Sequence, residues 1–226
     1  MHTKLSLSEI RADLNIISST CTINPLSNDD QSKLIKDNSF PVKFVDLWLP
    51  DFVDVVKENV ILKMQAWLNN LVVGVDNDWI MLCGPIGVCK TALATMMLKY
   101  SYCIMRNKKI RAMWQQQNPL VQDWNLVRFW SSYDVVKEHI NNKDRFEGGK
   151  RAFILAIDDI TKPSNDFYTE VLDQVLRYRE LNCLPTILTS QVKSVGLGDT
   201  FPLPLCDLIN GNSDEVRITG DSKRGG

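Results

Sequence analysis

The sequence predicts an α/β domain built on a parallel sheet, and two stretches carry most of that expectation. Trp79–Thr91 reads as a buried strand, a tight loop and the first turn of a helix that runs from Ala92 to about Tyr100. Phe153–Asp159 is an unbroken apolar run closed by two aspartates, the pattern of a central strand covered on both faces. Further strands and helices alternate between and beyond them, which is how parallel sheets are assembled.

The first stretch has a chemical reading of its own. A strand, loop and helix at this spacing aim several backbone N–H groups and a helix N-terminus at one point, which favours a bound anion. The pattern Gly, four residues, Gly-Lys-Ser/Thr is the Walker A phosphate loop, and Gly84, Gly87, Lys90 and Thr91 fit it. Cys89 stands where the last glycine belongs, at a place where a side chain either crowds the phosphates or has to point away. The loop as a whole, Gly84, Pro85, Ile86, Gly87, Val88, Cys89, Lys90 and Thr91, is the expected nucleotide cradle.

Ahead of it, residues 1–44 form an N-terminal extension and residues 45–226 the main domain. Ser6 or Ser8 caps a short helix with Ile10, Leu14 and Ile17 on one face, and a polar stretch follows at Ser27–Ser32, a linker or the entry to a helix. The extension reads either as a partner-docking arm or as a poorly ordered leader. Asp51 is placed to cap a helix reaching about Leu71, with Val55, Leu62, Met64, Trp67 and Leu71 at helical spacing, and Asp76–Asp78 turns the chain into the loop strand.

After the first helix, Arg106–Arg111 is a basic run, either a phosphate contact or a solvated helix end, and residues 112–125 have no clear assignment. Asn125–Trp130 is expected as a strand, Tyr133–Ile140 as a helix capped by Ser131 or Ser132, and the polar, glycine-containing stretch to Arg151 as a loop. In the second strong stretch, Asp158 is placed at a strand's carboxyl edge to help hold Mg²⁺, and Asp159 to orient or deprotonate an attacking water. Pro163–Asp166 opens a helix to about Leu181, Leu184–Leu188 is a buried strand ending in Thr189-Ser190-Gln191, and Asp214–Thr219 is the last strand.

Composition narrows the classes. With 226 residues and 44% hydrophobic content the chain is long enough for a sizeable core, and a net charge of −1 supplies no global attraction to nucleic acid or anionic lipid. The six cysteines, at 21, 83, 89, 103, 183 and 206, include no C-x-x-C pair, which reads as free thiols in a reducing cytoplasm rather than a disulfide framework or zinc site. His2 and His139 lack neighbouring ligands, and no apolar run reaches the length of a membrane span. For DNA, the candidate phosphate contacts are Lys108, Lys109, Arg111, Lys143, Arg145, Lys150 and Arg151.

Taken together, Gly84–Thr91, Ile154–Ile160, the segment YRELNCLPTILTSQ ending at Gln191, and Gly220–Arg224 resemble the DnaC/IstB branch of AAA+ ATPases over about residues 45–224. The resemblance implies a parallel five-stranded sheet between helices and ATP bound at the subunit junctions of a homo-oligomer on single-stranded DNA. The branch holds loaders of the replicative helicase and helper ATPases of transposition. Carried onto this chain, it gives Lys90 the β- and γ-phosphates, Thr91 and Asp158 the Mg²⁺, and Asp159 the catalytic acid position. It puts Thr189 and Ser190 in the first sensor and Arg224 in the second. Gln191 stands where the family has asparagine, and Leu208 where it carries a trans-acting arginine, so hydrolysis is expected to be slow or lost while binding survives. A third expectation is a degenerate ATPase kept as a protein-interaction module.

Overall fold

All strand pairings in the sheet are parallel, and the spatial order is β2-β3-β4-β1-β5. A computed structural model of the chain describes residues 26–38, 40–44, 56–74, 79–119, 126–161 and 165–219. The strands are β1 (Trp79–Cys83), β2 (Val127–Ser131), β3 (Ile154–Asp158), β4 (Thr186–Ser190) and β5 (Ser213–Arg217). The helices are α1 (Asn28–Asn38), α2 (Glu58–Val73), α3 (Lys90–Met105), α4 (Lys108–Gln117), α5 (Ser132–Asn141), α6 (Lys143–Lys150), α7 (Asp166–Leu181) and α8 (Leu203–Asn212). One 3-10 turn spans Val42–Phe44 and another Ser194–Asp199.

Successive strand residues point to opposite faces, and here each face has its own core. Ile80, Leu82, Ile154, Ala156 and Ile187 pack with α2 and α3, whereas Trp79, Met81, Leu155, Ile157 and Leu188 pack with α7 and α8. Both sides are therefore apolar, which is why these strands read as continuous hydrophobic runs. Because the strands run the same way, Cys83, Asp158 and Ser190 all end at one edge of the sheet.

β4 lies between β1 and β3. Its register pairs Leu82 with Thr189 on one side and Leu155 with Thr186 on the other, so its last residues sit between the phosphate loop and the paired aspartates.

Several elements differ from the sequence expectation. The first loop helix extends past Tyr100 to Met105, because Cys103, Ile104 and Met105 continue its buried surface. The helix before β1 begins at Glu58 and ends on Gly74, whose φ of 71° permits the left-handed cap that closes it. Asp51 and the helix expected between residues 6 and 17 lie outside the described residues.

The basic run leads into α4, capped by the Asn107 side chain accepting from the Lys109 N–H at 3.0 Å. The indole of Trp114 anchors that helix by donating to the Leu71 carbonyl at 2.8 Å, which places the first part of the unassigned stretch, through Gln117. The stretch expected as a loop before Arg151 contains α6. Asn142 caps it, Phe146 and Lys150 are buried, and Gly149 lies so close to Trp130 that a Cβ would fall 2.1 Å from the ring. Its two glycines disguise it in sequence, and tertiary packing offsets their cost of about 1 kcal/mol each.

The described part of the N-terminal segment packs on the same domain. Leu26, Leu34 and Phe40 are buried in the core with α2 and α3, and Asp30 pairs with Arg106 at 2.7 Å.

Candidate functional site

The Cys83–Thr91 turn is shaped by three positive backbone angles. Gly84 has φ 156°, Gly87 φ 91° and Cys89 φ 65°. At Gly84 a Cβ would stand 2.3 Å from the Ile218 carbonyl oxygen, so only glycine lets the loop leave β1 here. At Cys89 the left-handed conformation belongs to a residue with a Cβ, which costs about 1–2 kcal/mol. Its side chain packs partly on the core while also bordering the cavity. Cys83, by contrast, is sealed below the loop, and burial followed by the neighbouring Glu215 pushes its thiol up to about 12.

Above the loop lies a cavity of about 530 Å³. From the loop and α3 it takes Ile86, Gly87, Cys89, Lys90, Thr91 and Ala92, from the ends of β3 and β4 Asp158, Asp159, Thr189 and Gln191, and from the N-terminal 3-10 turn Lys43 and Phe44. This position, outside the carboxyl ends of parallel strands, is the usual ligand crevice of an open α/β sheet.

The polar groups in it form one network. Lys90 Nζ donates to the carbonyls of Gly84 and Pro85, each at 2.7 Å, folding the ammonium over the loop. Thr91 Oγ1 donates to the Asp158 carboxylate, 3.0 and 2.9 Å from its two oxygens. Thr189 Oγ1 donates to Asp158 Oδ1 at 2.6 Å and accepts the Asp159 N–H at 2.8 Å. The Gln191 amide nitrogen lies 2.9 and 3.1 Å from the two Asp159 oxygens.

Asp159 itself has φ 58°, and its turn is fixed further by the Ile160 N–H on the Thr189 carbonyl (2.9 Å) and by the Tyr168 hydroxyl on the Ile160 carbonyl (3.0 Å). Burial raises the Asp158 carboxyl above the ordinary carboxylate range. The Thr189 and Thr91 hydroxyls oppose that rise, Asp159 adds to it and Lys90 again opposes it.

Of the residues singled out in the sequence, Lys90, Thr91, Asp158, Asp159 and Thr189 come together here, with Gly84 and Pro85 supplying the carbonyls that hold Lys90. Val88 is buried below the loop. Ser190 turns its hydroxyl to the Val192 carbonyl at 2.7 Å. Arg224 lies outside the described residues.

Leu208 packs into the core beside Leu205 and Ile209. Among the proposed phosphate contacts, Lys150 is buried on Glu147 at 2.8 Å, Arg151 reaches the same carboxylate at 3.5 Å and Arg145 reaches Glu138 at 3.6 Å. Lys43 and Phe44 had no motif to announce them; their only sequence signal is a short apolar stretch beside Pro41.

The residues fit a nucleoside triphosphate with its metal. Positive-φ loop residues and the start of α3 form an anion cradle, and a half-buried carboxylate beside a hydroxyl is a donor pair for a divalent cation. Among the described residues no group of three His, Cys, Asp or Glu side chains forms a cage, so a cation here would be completed by phosphate oxygens and water, the usual arrangement for Mg²⁺.

No family model and no curated protein matches this chain. Solved structures do match its fold. DnaI aligns with TM-score 0.60 at 18% identity, covering 80% of this chain and 96% of its own. A primosome component described as putative, from Streptococcus pyogenes serotype M3, aligns with TM-score 0.58 at 17% identity over 83% of this chain and 93% of its own. AMPPCP-bound DnaA from Aquifex aeolicus aligns with TM-score 0.59 at 19% identity over 81% of this chain and 52% of its own, so this chain spans about half of that protein. The chain shares its fold with these structures.

Proposed function

We propose that this chain is an ATP-binding protein of the DnaC/IstB type that assists DNA replication by binding a replicative helicase and aiding its placement on single-stranded DNA. The observation that carries the nucleotide part is the convergence of Lys90, Thr91, Asp158, Asp159 and Thr189 on one cavity at the sheet's carboxyl edge. The replication part is supported by the fold likeness to DnaI and to a structure described as the DnaC helicase loader, the latter with TM-score 0.53 at 15% identity over 75% of this chain and 99% of its own.

The chain's own groups divide the work. Loop amides and Lys90 hold the triphosphate, with Lys90 exchanging two carbonyls for phosphate oxygens. Thr91 and Asp158 would hold Mg²⁺, which when bound neutralises charge on the phosphates. Asp159 orients a water; the water oxygen bonds to the terminal phosphorus, the bond to the bridging oxygen of ADP breaks, and the water proton passes to the carboxylate. Phe44 offers an apolar wall for the nucleoside, and Lys43 a second cation at the rim, 4.6 Å from the Phe44 ring centre.

Titration with a fluorescent ATP analogue, with and without Mg²⁺, tests the nucleotide reading, and retention of the host helicase on immobilised protein tests the partner. Saturable Mg²⁺-dependent binding together with ATP-dependent retention is the expected result. Binding of nucleotide without retention of helicase would favour transposition helper or interaction module as the role.

A further inference from the structure

Asp159 holds a left-handed backbone, φ 58°, which strains a residue that carries a Cβ. Two groups of Thr189 hold the turn from β4: Oγ1 accepts the Asp159 N–H at 2.8 Å, and the carbonyl accepts the Ile160 N–H at 2.9 Å. A third contact comes from another element. The hydroxyl of Tyr168, on the first turn of α7, donates to the Ile160 carbonyl at 3.0 Å.

That hydroxyl is carried on a stiff support. The Tyr168 N–H donates to the Asn165 side chain at 2.8 Å, which fixes the residue at the helix start, and its ring lies in the core with Ile157, Ile160 and Leu172. Tyr168 and Ile160 are both fully buried, so bulk water does not stand in for the bond. Burial, and after it the Asp159 charge, push the phenol far above its ordinary range, and the group stays a donor at every working pH. The ring spans from α7 to the turn that carries the acid.

We infer that Tyr168 is a positioning residue for hydrolysis: its hydroxyl, acting through the Ile160 carbonyl, keeps the Asp159 carboxylate where it engages the attacking water. The inference rests on the nucleotide reading above. Without the hydroxyl a buried carbonyl loses its donor, and the strained turn relaxes toward ordinary backbone angles and takes the carboxylate with it. A displacement of about 1 Å at such a group costs up to about a hundredfold in rate. A ring that only fills the core would act on stability; a hydroxyl that aims the acid acts on turnover and leaves nucleotide affinity alone.

The test uses the full chain, Tyr168→Phe, which removes the hydroxyl and keeps the ring, and the same substitution in an Asp159→Asn background. With Mg²⁺ and ATP, turnover per bound nucleotide is expected to fall at least about tenfold in Tyr168→Phe, while affinity for a fluorescent ATP analogue stays within about twofold. In the Asp159→Asn background the substitution should leave the residual turnover unchanged, because the group it aims is gone. Unchanged turnover in Tyr168→Phe overturns the inference, as does a loss of affinity equal to the loss of turnover, or a further tenfold fall in the Asp159→Asn background. A Tyr168→Phe chain that does not fold marks the hydroxyl as structural and overturns it too. Nucleotide bound by the natural protein without measurable turnover overturns the inference and leaves the nucleotide reading standing; no binding at all overturns both.

Discussion

Thr91 Oγ1 and the Asp158 carboxylate lie within 3.0 Å of each other, one on the helix that follows the phosphate loop and one at the end of a strand not hydrogen-bonded to the loop strand. This hydroxyl and that of Thr189 both donate to the half-buried carboxylate and favour its charged form.

Asp158→Asn tests that account. Because burial raises the folded-state carboxyl, its contribution to stability is fully present below the unfolded-state value near 4 and is lost as pH rises through the folded value. The nucleotide-free variant should therefore melt higher than the natural protein at neutral pH, by about 2–4 °C, the shift that ~1 kcal/mol makes in a domain of this size. The gap should narrow towards pH 4. Mg²⁺-dependent nucleotide binding should be lost in the same variant. A lower melting temperature at pH 7 would show that the carboxylate stabilises the free fold.

Lys90→Ala should weaken nucleotide binding by at least about 30-fold, the equivalent of ~2 kcal/mol for a charge-assisted contact. Calorimetric titration reads this directly. Lys90→Arg should not restore affinity, because a planar fork does not replace a compact ammonium folded over two loop carbonyls. Equal affinity in all three forms would place the nucleotide elsewhere or nowhere.

Cys89→Gly should stabilise the free protein by about 1 kcal/mol or less, since relief of the left-handed backbone is partly offset by the lost contact with the core. Cys89→Val, β-branched at the same φ, should destabilise by more than about 1 kcal/mol. Urea unfolding of the three forms provides the ranking, and Gly falling below Cys would mean that thiol packing outweighs strain.

Arg179→Met should cost about 3–5 kcal/mol. The guanidinium is fully buried and donates to the carbonyls of Lys150, Ala152, Phe153 and Pro185 and to Thr186 Oγ1, at 2.6 to 3.1 Å. Removing it orphans acceptors from two strand beginnings and a helix end at once. Loss of less than about 1 kcal/mol by chemical denaturation would mean that water replaces it.

What the sequence made legible was what repeats locally. The strand, glycine loop and lysine at 79–91 and the apolar run closed by Asp158 and Asp159 announce themselves because their neighbours in chain are their neighbours in space. Thr189 was legible as a polar strand end that the resemblance puts in the first sensor, but its contacts with both aspartates were not. Lys43 and Phe44 were not read as site residues, since they reach the cavity across the fold and carry no periodic pattern. The helix at 143–150 was hidden by its glycines, one of which is there to admit the Trp130 ring. Leu208 was assigned by alignment of motifs, and only burial reveals that it faces inward. Arg177 and Arg179 stand two residues apart on one helix, and packing decides that Arg179 is interior while Arg177 is exposed and pairs with Asp173 at 2.8 Å.

The interposed strand β4 makes the sheet itself a mechanical tie. At one end the Arg179 guanidinium grips Pro185 and Thr186; at the other, Thr189 holds both aspartates and the Ser190 carbonyl accepts the Gly84 N–H at 3.2 Å. Five residues of extended chain, about 15 Å, join the two anchorages. Both sets of contacts hang on one short strand, so a slip of its register by a single residue would displace the loop contact and both aspartate contacts together.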